Sequence, residues 1–171
     1  MGALVDRIRS LVVTADSPDG TVRARLAGLG SVEIRLSSTA MARNDETTLA
    51  DQISQVLSTV VEDYQGCVDR LRHRSSRPTD TTTPHRPDVL AEPAAIGTST
   101  AKYVRIGWRG RSDIEVRIKP RTFTRCDRDR LTDEINSALA AVSRSRTRQL
   151  QVAERLTEPA PVSAGRNLSH G

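Results

Sequence analysis

Residues 17–36 read SPDGTVRARLAGLGSVEIRL, and residues 103–118 read YVRIGWRGRSDIEVRI. In the first stretch Val22, Ala24 and Leu26 alternate with Arg23 and Arg25, and Val32, Ile34 and Leu36 alternate with Glu33 and Arg35. A period of two with apolar residues on one side predicts strands that bury a single face. SPDG at 17–20 and GLGS at 28–31 supply the Pro and Gly that tight turns use. With a further strand at 11–15, this predicts a three-stranded antiparallel meander. In the second stretch Val104, Ile106 and Trp108 form one inward side and Ile114, Val116 and Ile118 the next, with GRSD at 110–113 turning the chain.

The two stretches also align with each other without a gap. Laying Val22 on Val104 brings Arg23 onto Arg105, Gly28 onto Gly110, Glu33 onto Glu115 and Arg35 onto Arg117. The same offset carries Arg43 onto Arg125, Asp45 onto Asp127, Leu49 onto Leu131, Ile53 onto Ile135, Leu57 onto Leu139 and Val60 onto Val142. One offset held over some fifty positions is read as an internal repeat. Asp45 and Asp127 stand where N-caps would, each ahead of a long stripe at helical spacing. The first stripe runs from Leu49 to Leu71, the second from Leu131 to Leu150. A short helix is expected over residues 2–11, from Leu4, Val5, Ile8 and Leu11.

The expected fold class is therefore α+β, with two-layer α-β-β-β-α modules in two copies. Residues 1–72 form the first module, 73–100 a flexible linker rich in Ser, Thr and Pro, 101–156 the second, degenerate module, and 157–171 a disordered tail. A Ser/Thr/Pro-rich stretch buries too little apolar area to offset the ~1–2 kcal/mol per residue that ordering costs. Nothing before Lys102 matches the strand at 11–15 or the SPDG turn well, which leaves open whether the second sheet has its third strand.

Composition bounds the function. The hydrophobic fraction is 36%, the aromatic fraction 2% and the charged fraction 27%, lean enough that such small modules are expected to need a partner surface. No run reaches the ~20 apolar residues of a membrane span, and the N-terminus lacks the pattern of a secretory signal, so no membrane partner and a cytoplasmic location are expected. The formal net charge of +5 is uneven: before residue 86 there are ten arginines against eleven acids, and from there on sixteen bases against ten acids. A basic half is the footprint of a binder of nucleic acid or another anionic surface.

Catalytic chemistry finds no foothold. His73, His85 and His170 fall in the expected linker and tail, where a general base cannot be held. Asp127, Asp129, Asp133 and Glu134 gather at a helix start, where stabilising its positive end accounts for them. Cys67 and Cys126 have no metal-ligand spacing, and the turn glycines belong to no phosphate-binding motif. Neither an enzyme, a metal or other cofactor, nor a small-molecule substrate is expected.

The succession VVTADSPDGTVRARLAGLGSVEIRLSS followed by NDETTLADQISQVLSTVVEDY resembles the YbaB/EbfC family of nucleoid-associated DNA-binding proteins, in its actinobacterial form. Residues 104–142 resemble the back two-thirds of the same pattern. The resemblance implies a module that pairs with another like it, by self-association or as an intrachain pseudo-dimer, and binds duplex DNA in the nucleoid with little sequence preference.

By strand alternation, the polar sides carry Arg23, Arg25 and Arg35 in the first copy and Arg105, Arg109, Arg117 and Lys119 in the second, with Arg111 and Arg121 at turns. These nine are the candidate phosphate contacts, and Arg144, Arg146 and Arg148 add to the second set. Tyr64, Tyr103, Trp108 and Phe123 make no platform for stacking unpaired bases, which favours duplex over single strands. The competing expectation is a protein-interaction or scaffold module that uses the long helices and leaves the charge incidental.

Overall fold

The computed structural model describes residues 2–75 and 94–157. The chain runs α1 (Gly2–Arg9), β1 (Val12–Asp16), β2 (Val22–Ala27), β3 (Ser31–Leu36), α2 (Ala40–Arg43), α3 (Glu46–Ser75), β4 (Ala95–Thr98), β5 (Val104–Arg109), β6 (Asp113–Ile118) and α4 (Arg128–Thr157). Two three-stranded antiparallel sheets result, ordered β1-β2-β3 and β4-β5-β6. The α+β class is as expected, and so is the first meander.

The expected linker needs correction, and the open question of the third strand is settled with it. The stretch 73–100 is not all linker: α3 continues through Ser75, and β4 occupies Ala95–Thr98. The second sheet therefore has its third strand, with Gly97 opposite Ile106 in the ladder. His73 accordingly sits in the last turn of α3. The remainder of the expected linker, and the expected tail beyond Thr157, lie outside the described residues, as do His85 and His170.

The offset of 82 residues extends well beyond residue identity. It relates both ends of α3 to both ends of α4, β2 to β5 and β3 to β6. Small hydrogen bonds follow it too. The Ser17 hydroxyl accepts from Val22 N–H at 2.9 Å and the Ser99 hydroxyl from Val104 N–H at 3.1 Å. Asp45 caps α3 through Thr48 N–H at 2.7 Å, and Asp127 caps α4 through Arg130 N–H at 2.8 Å. That first bond holds the Asp45 carboxyl below the usual carboxylate range. Even the backbone twist is matched: Gly20 has φ +69°, and its counterpart Lys102 adopts φ 62° despite its side chain.

One continuous core joins the halves. Ile34, Leu49, Ile53, Leu57 and Val60 belong to the same buried cluster as Ile106, Leu131, Ile135, Leu139 and Val142. Each such side chain contributes about 1.5–3 kcal/mol by leaving water. The cluster is shared because the helices cross over. Helix α3 packs on β1 and β2 of its own sheet and also on β6, while α4 packs on β4 and β5 and also on β3.

The crossing is fixed at the strand edges, where unpaired backbone groups must find partners. The Asn136 amide on α4 accepts from Ile34 N–H at 2.8 Å and donates to Ile34 C=O at 3.0 Å. At the position equivalent to Asn136, the Ser54 hydroxyl on α3 accepts from Val116 N–H at 2.9 Å, and Val116 is itself the equivalent of Ile34. Each helix thus covers its own sheet and closes the open edge of the other.

Candidate functional site

The antiparallel register decides which charges share a face. On the outer side of the first sheet, Asp16, Arg23 and Arg35 form one row, and Thr14, Arg25 and Glu33 the next. On the second sheet the matching rows are Thr98, Arg105 and Arg117, then Ile96, Gly107 and Glu115, followed by the pair Arg109 and Asp113. Counting acids with bases, each face holds three arginines against two carboxylates. The expected gain of positive charge on the second sheet's outer face therefore does not occur within the strands.

Most of these arginines are already paired. Arg23 meets Asp16 at 2.6 Å, Arg35 meets Glu33 at 3.1 Å, and Arg117 meets Glu115 at 2.6 Å. Arg109 is shared between Asp113 at 3.3 Å and Glu115 at 3.6 Å. All lie on exposed surface, where such a pair stabilises by about 0–1 kcal/mol and yields readily to a stronger anion. Arg25 and Arg105 make no ion pair among the described residues. A shallow hollow of about 240 Å³ opens beside Arg105, where Gly107 replaces Arg25 of the first sheet, with Ile96 and Arg117 on its rim.

Arg111 departs from the candidate set. Its guanidinium turns from the sheet face to α3, pairing with Asp69 and donating to the Gln65 side chain. Arg146 is likewise engaged: it donates to Gly110 C=O at 2.6 Å and lies 4.6 Å from the centre of the Trp108 ring. That position matches Tyr64, whose hydroxyl donates to Gly28 C=O. Burial raises the Tyr64 phenol above its ordinary value.

Lys119 and Arg121, by contrast, project from the connection between β6 and α4. Two cations that strand alternation could not single out follow them, Arg125 in the same connection and Arg130 in the first turn of α4. All four are exposed and make no ion pair among the described residues. Their counterparts in the first half are Ser37, Thr39, Arg43 and Thr48. Residues 119–130 hold five bases against two acids, whereas residues 37–48 hold one base against two acids. The charge asymmetry between the halves therefore lies in two places: the start of α4, and further along the helix, where residues 144–151 hold three arginines and no acid against three acids and no base at 62–69. The signal was present in the sequence once the two connections, and not only the strands, were aligned.

The β1–β2 turn carries the most densely bonded acid. Asp19 accepts from the Ser17 hydroxyl at 2.6 Å, from Thr21 N–H at 3.1 Å and from the Thr21 hydroxyl at 2.8 Å. The Ser17 bond is the largest cause holding its carboxyl far below the ordinary carboxylate value. At the equivalent β4–β5 turn the carboxylate comes from the other side: Ala101 replaces Asp19, and Glu134 replaces Gln52 and accepts from Ala101 N–H at 3.0 Å.

Among the described residues, no group of three or more His, Cys, Asp or Glu side chains could hold a metal ion. No helix among them is long and apolar enough to cross a membrane. Cys126 is buried and Cys67 half-buried, both as free thiols. No family model matches the chain, and neither a curated protein nor a solved structure does.

Proposed function

We propose that this chain is a nucleoid-associated type of DNA-binding protein that grips duplex DNA mainly through its phosphates, with little reading of the bases. In this proposal it consists of two diverged copies of one YbaB/EbfC-like module, folded against each other as an intrachain pseudo-dimer. The offset of 82 residues, common to elements, caps and edge bonds, supports the duplication.

The observation that carries the binding reading is the set Lys119, Arg121, Arg125 and Arg130: four exposed cations within one short segment, without carboxylate partners among the described residues. Unpaired cations gain most from phosphate, because no existing ion pair has to be given up and condensed counterions are released from the duplex. Low sequence specificity follows from the helices. The apolar residues of α3 from Leu49 to Val61 and of α4 from Leu131 to Val142 are spent on the two sheets, so these parts of the helices are not free to insert in the major groove. The same spending counts against the scaffold alternative, which needs those stripes exposed. Nor do the aromatic rings offer a stacking platform, since Trp108 is buried and Tyr64, Tyr103 and Phe123 are half-buried.

Fluorescence anisotropy with a labelled random-sequence duplex tests this directly. Four phosphate contacts predict a log–log salt slope of roughly −3.6, so affinity should fall about a hundredfold between ~50 and ~200 mM salt. An unrelated duplex should compete equally. No binding at ~50 mM salt would overturn the proposal.

A further inference from the structure

We infer that the DNA-contacting surface is one-sided: two equivalent connections meet at one end of the molecule, and only the β6–α4 connection is armed to hold phosphate. The inference rests on the DNA-binding reading above and specifies where on the fold the duplex sits.

The contacts of α3 establish the geometry. The Glu46 carboxylate, in the first turn, accepts from Phe123 N–H at 3.2 Å. Ser54 then meets Val116, Glu62 accepts from the Ser112 hydroxyl at 2.8 Å, and Gln65 and Asp69 hold Arg111. Helix α3 therefore runs antiparallel to β6, from the β6–α4 connection at its start to the β5–β6 turn further along. The reach of Glu46 to Phe123 places the first turn of α3, with the connection that leads into it, beside residues 119–127. Both connections consequently face the same end, and in a symmetric pair they would make one composite surface.

Here the composite is unequal. The second connection, together with the first turn of α4, presents Lys119, Arg121, Arg125 and Arg130. The first presents Arg43 alone, beside the carboxylates Asp45 and Glu46, and has Ser37, Thr39 and Thr48 where the second has cations. The sheet faces do not restore the balance, because there most arginines are held by Asp16, Glu33, Asp113 or Glu115. A duplex at this end meets a cationic half and an acidic half, so it is drawn to the side of the second half.

Salt-dependent titration of the full chain with a labelled duplex locates the contacts, because each phosphate contact removed flattens the slope by about 0.9. Replacing Lys119, Arg121, Arg125 and Arg130 with Gln should flatten the slope by roughly 3.6. Replacing Arg25, Arg43 and Arg105 with Gln should change it by less than about one. Ser37→Lys, Thr39→Arg and Thr48→Arg together, which arm the first connection, should steepen it by roughly two or more. These positions are half-buried or exposed, and circular dichroism of each variant checks that the fold is kept.

An unchanged slope in the second-connection variant, or equal flattening in the Arg25, Arg43 and Arg105 variant, would overturn the one-sided surface while leaving DNA binding intact. Absence of binding by the unaltered chain would overturn the DNA reading, and this inference with it.

Discussion

The seam where α4 meets β3 and the seam where α3 meets β6 are equivalent in position and different in construction. At the first, Asn136 satisfies both backbone groups of Ile34. At the second, Ser54 satisfies only the Val116 N–H, but Glu46, Glu62, Gln65 and Asp69 add bonds along the length of α3. One seam is closed by a single bidentate amide, the other by a distributed series of weaker contacts. The apolar core beneath them keeps Leu49, Ile53, Leu57 and Val60 as Leu131, Ile135, Leu139 and Val142 at the common offset, so the shape of the crossing is maintained by packing. The polar edges, which only need some partner, are built differently.

The close approach of α4 to β4 gives the sharpest way to break this comparison. A Cβ on Gly97 would overlap the Ala138 carbonyl and the Val142 amide and come within 2.8 Å of the Val142 Cβ. The equivalent residue on β1 is Ala15, which α3 accommodates. Gly97→Ala should therefore cost about 3 kcal/mol or more in urea unfolding, because backbone cannot yield as a flexible side chain can. Ala15→Gly should cost under ~1 kcal/mol. Equal effects would mean that the two helices sit at the same height above their sheets.

The seams themselves come next. Asn136→Ala strands a buried N–H and C=O on β3 and should destabilise by about 2–3 kcal/mol. Ser54→Ala removes one bond in a seam with other supports, and about 1 kcal/mol is expected. Hydrogen exchange at Ile34 and Val116 reads the two edges separately. Faster exchange at Val116 in Ser54→Ala than at Ile34 in Asn136→Ala would reverse the ranking.

The smallest effect is electrostatic. The carboxyl of Asp19 is depressed in the folded state, so its contribution is complete above its unfolded value near 3.9 and is lost as pH falls toward the folded value. The unaltered chain should lose stability on acidification below about pH 4 more steeply than Asp19→Asn does, with the two curves parallel at neutral pH. Parallel acid limbs in thermal melts would show that the Ser17 and Thr21 bonds do not survive in solution.

Much of this architecture was legible in the sequence, and the exceptions share a cause. Strands β2, β3, β5 and β6 announce themselves because their inward residues are large and their outward ones charged. Strand β4 does not. Its inward residues are Ala95 and Gly97, kept small by the nearby helix, while its one bulky residue, Ile96, points to solvent. The burial that makes it a strand thus erases its hydropathy signal. Helix α2, AMAR, is too short to show a period. For the candidate surface, alternation correctly placed Arg23, Arg25, Arg35, Arg105, Arg109 and Arg117 on outer faces. It could not supply the strand register that sets Asp16 beside Arg23, nor the crossing of α3 that draws Arg111 away. Strand alternation does not reach Arg125, in a loop without a period, or Arg130, on the polar side of the first turn of α4.

The exchange of carboxylates at the two equivalent turns bears on how the chain avoids misassembly. Two helices of equal length with matching apolar stripes could each dock on the wrong sheet, a hazard of chains with internal repeats. Were α4 to settle on the first sheet, Glu134 would confront Asp19, two carboxylates at one turn. Were α3 to settle on the second, Gln52 would find only Ala101. The facing carboxylates do not arise in the native arrangement, so having one acid on the β1–β2 turn and the other on α4 gives the first sheet a means of telling its own helix from its neighbour's.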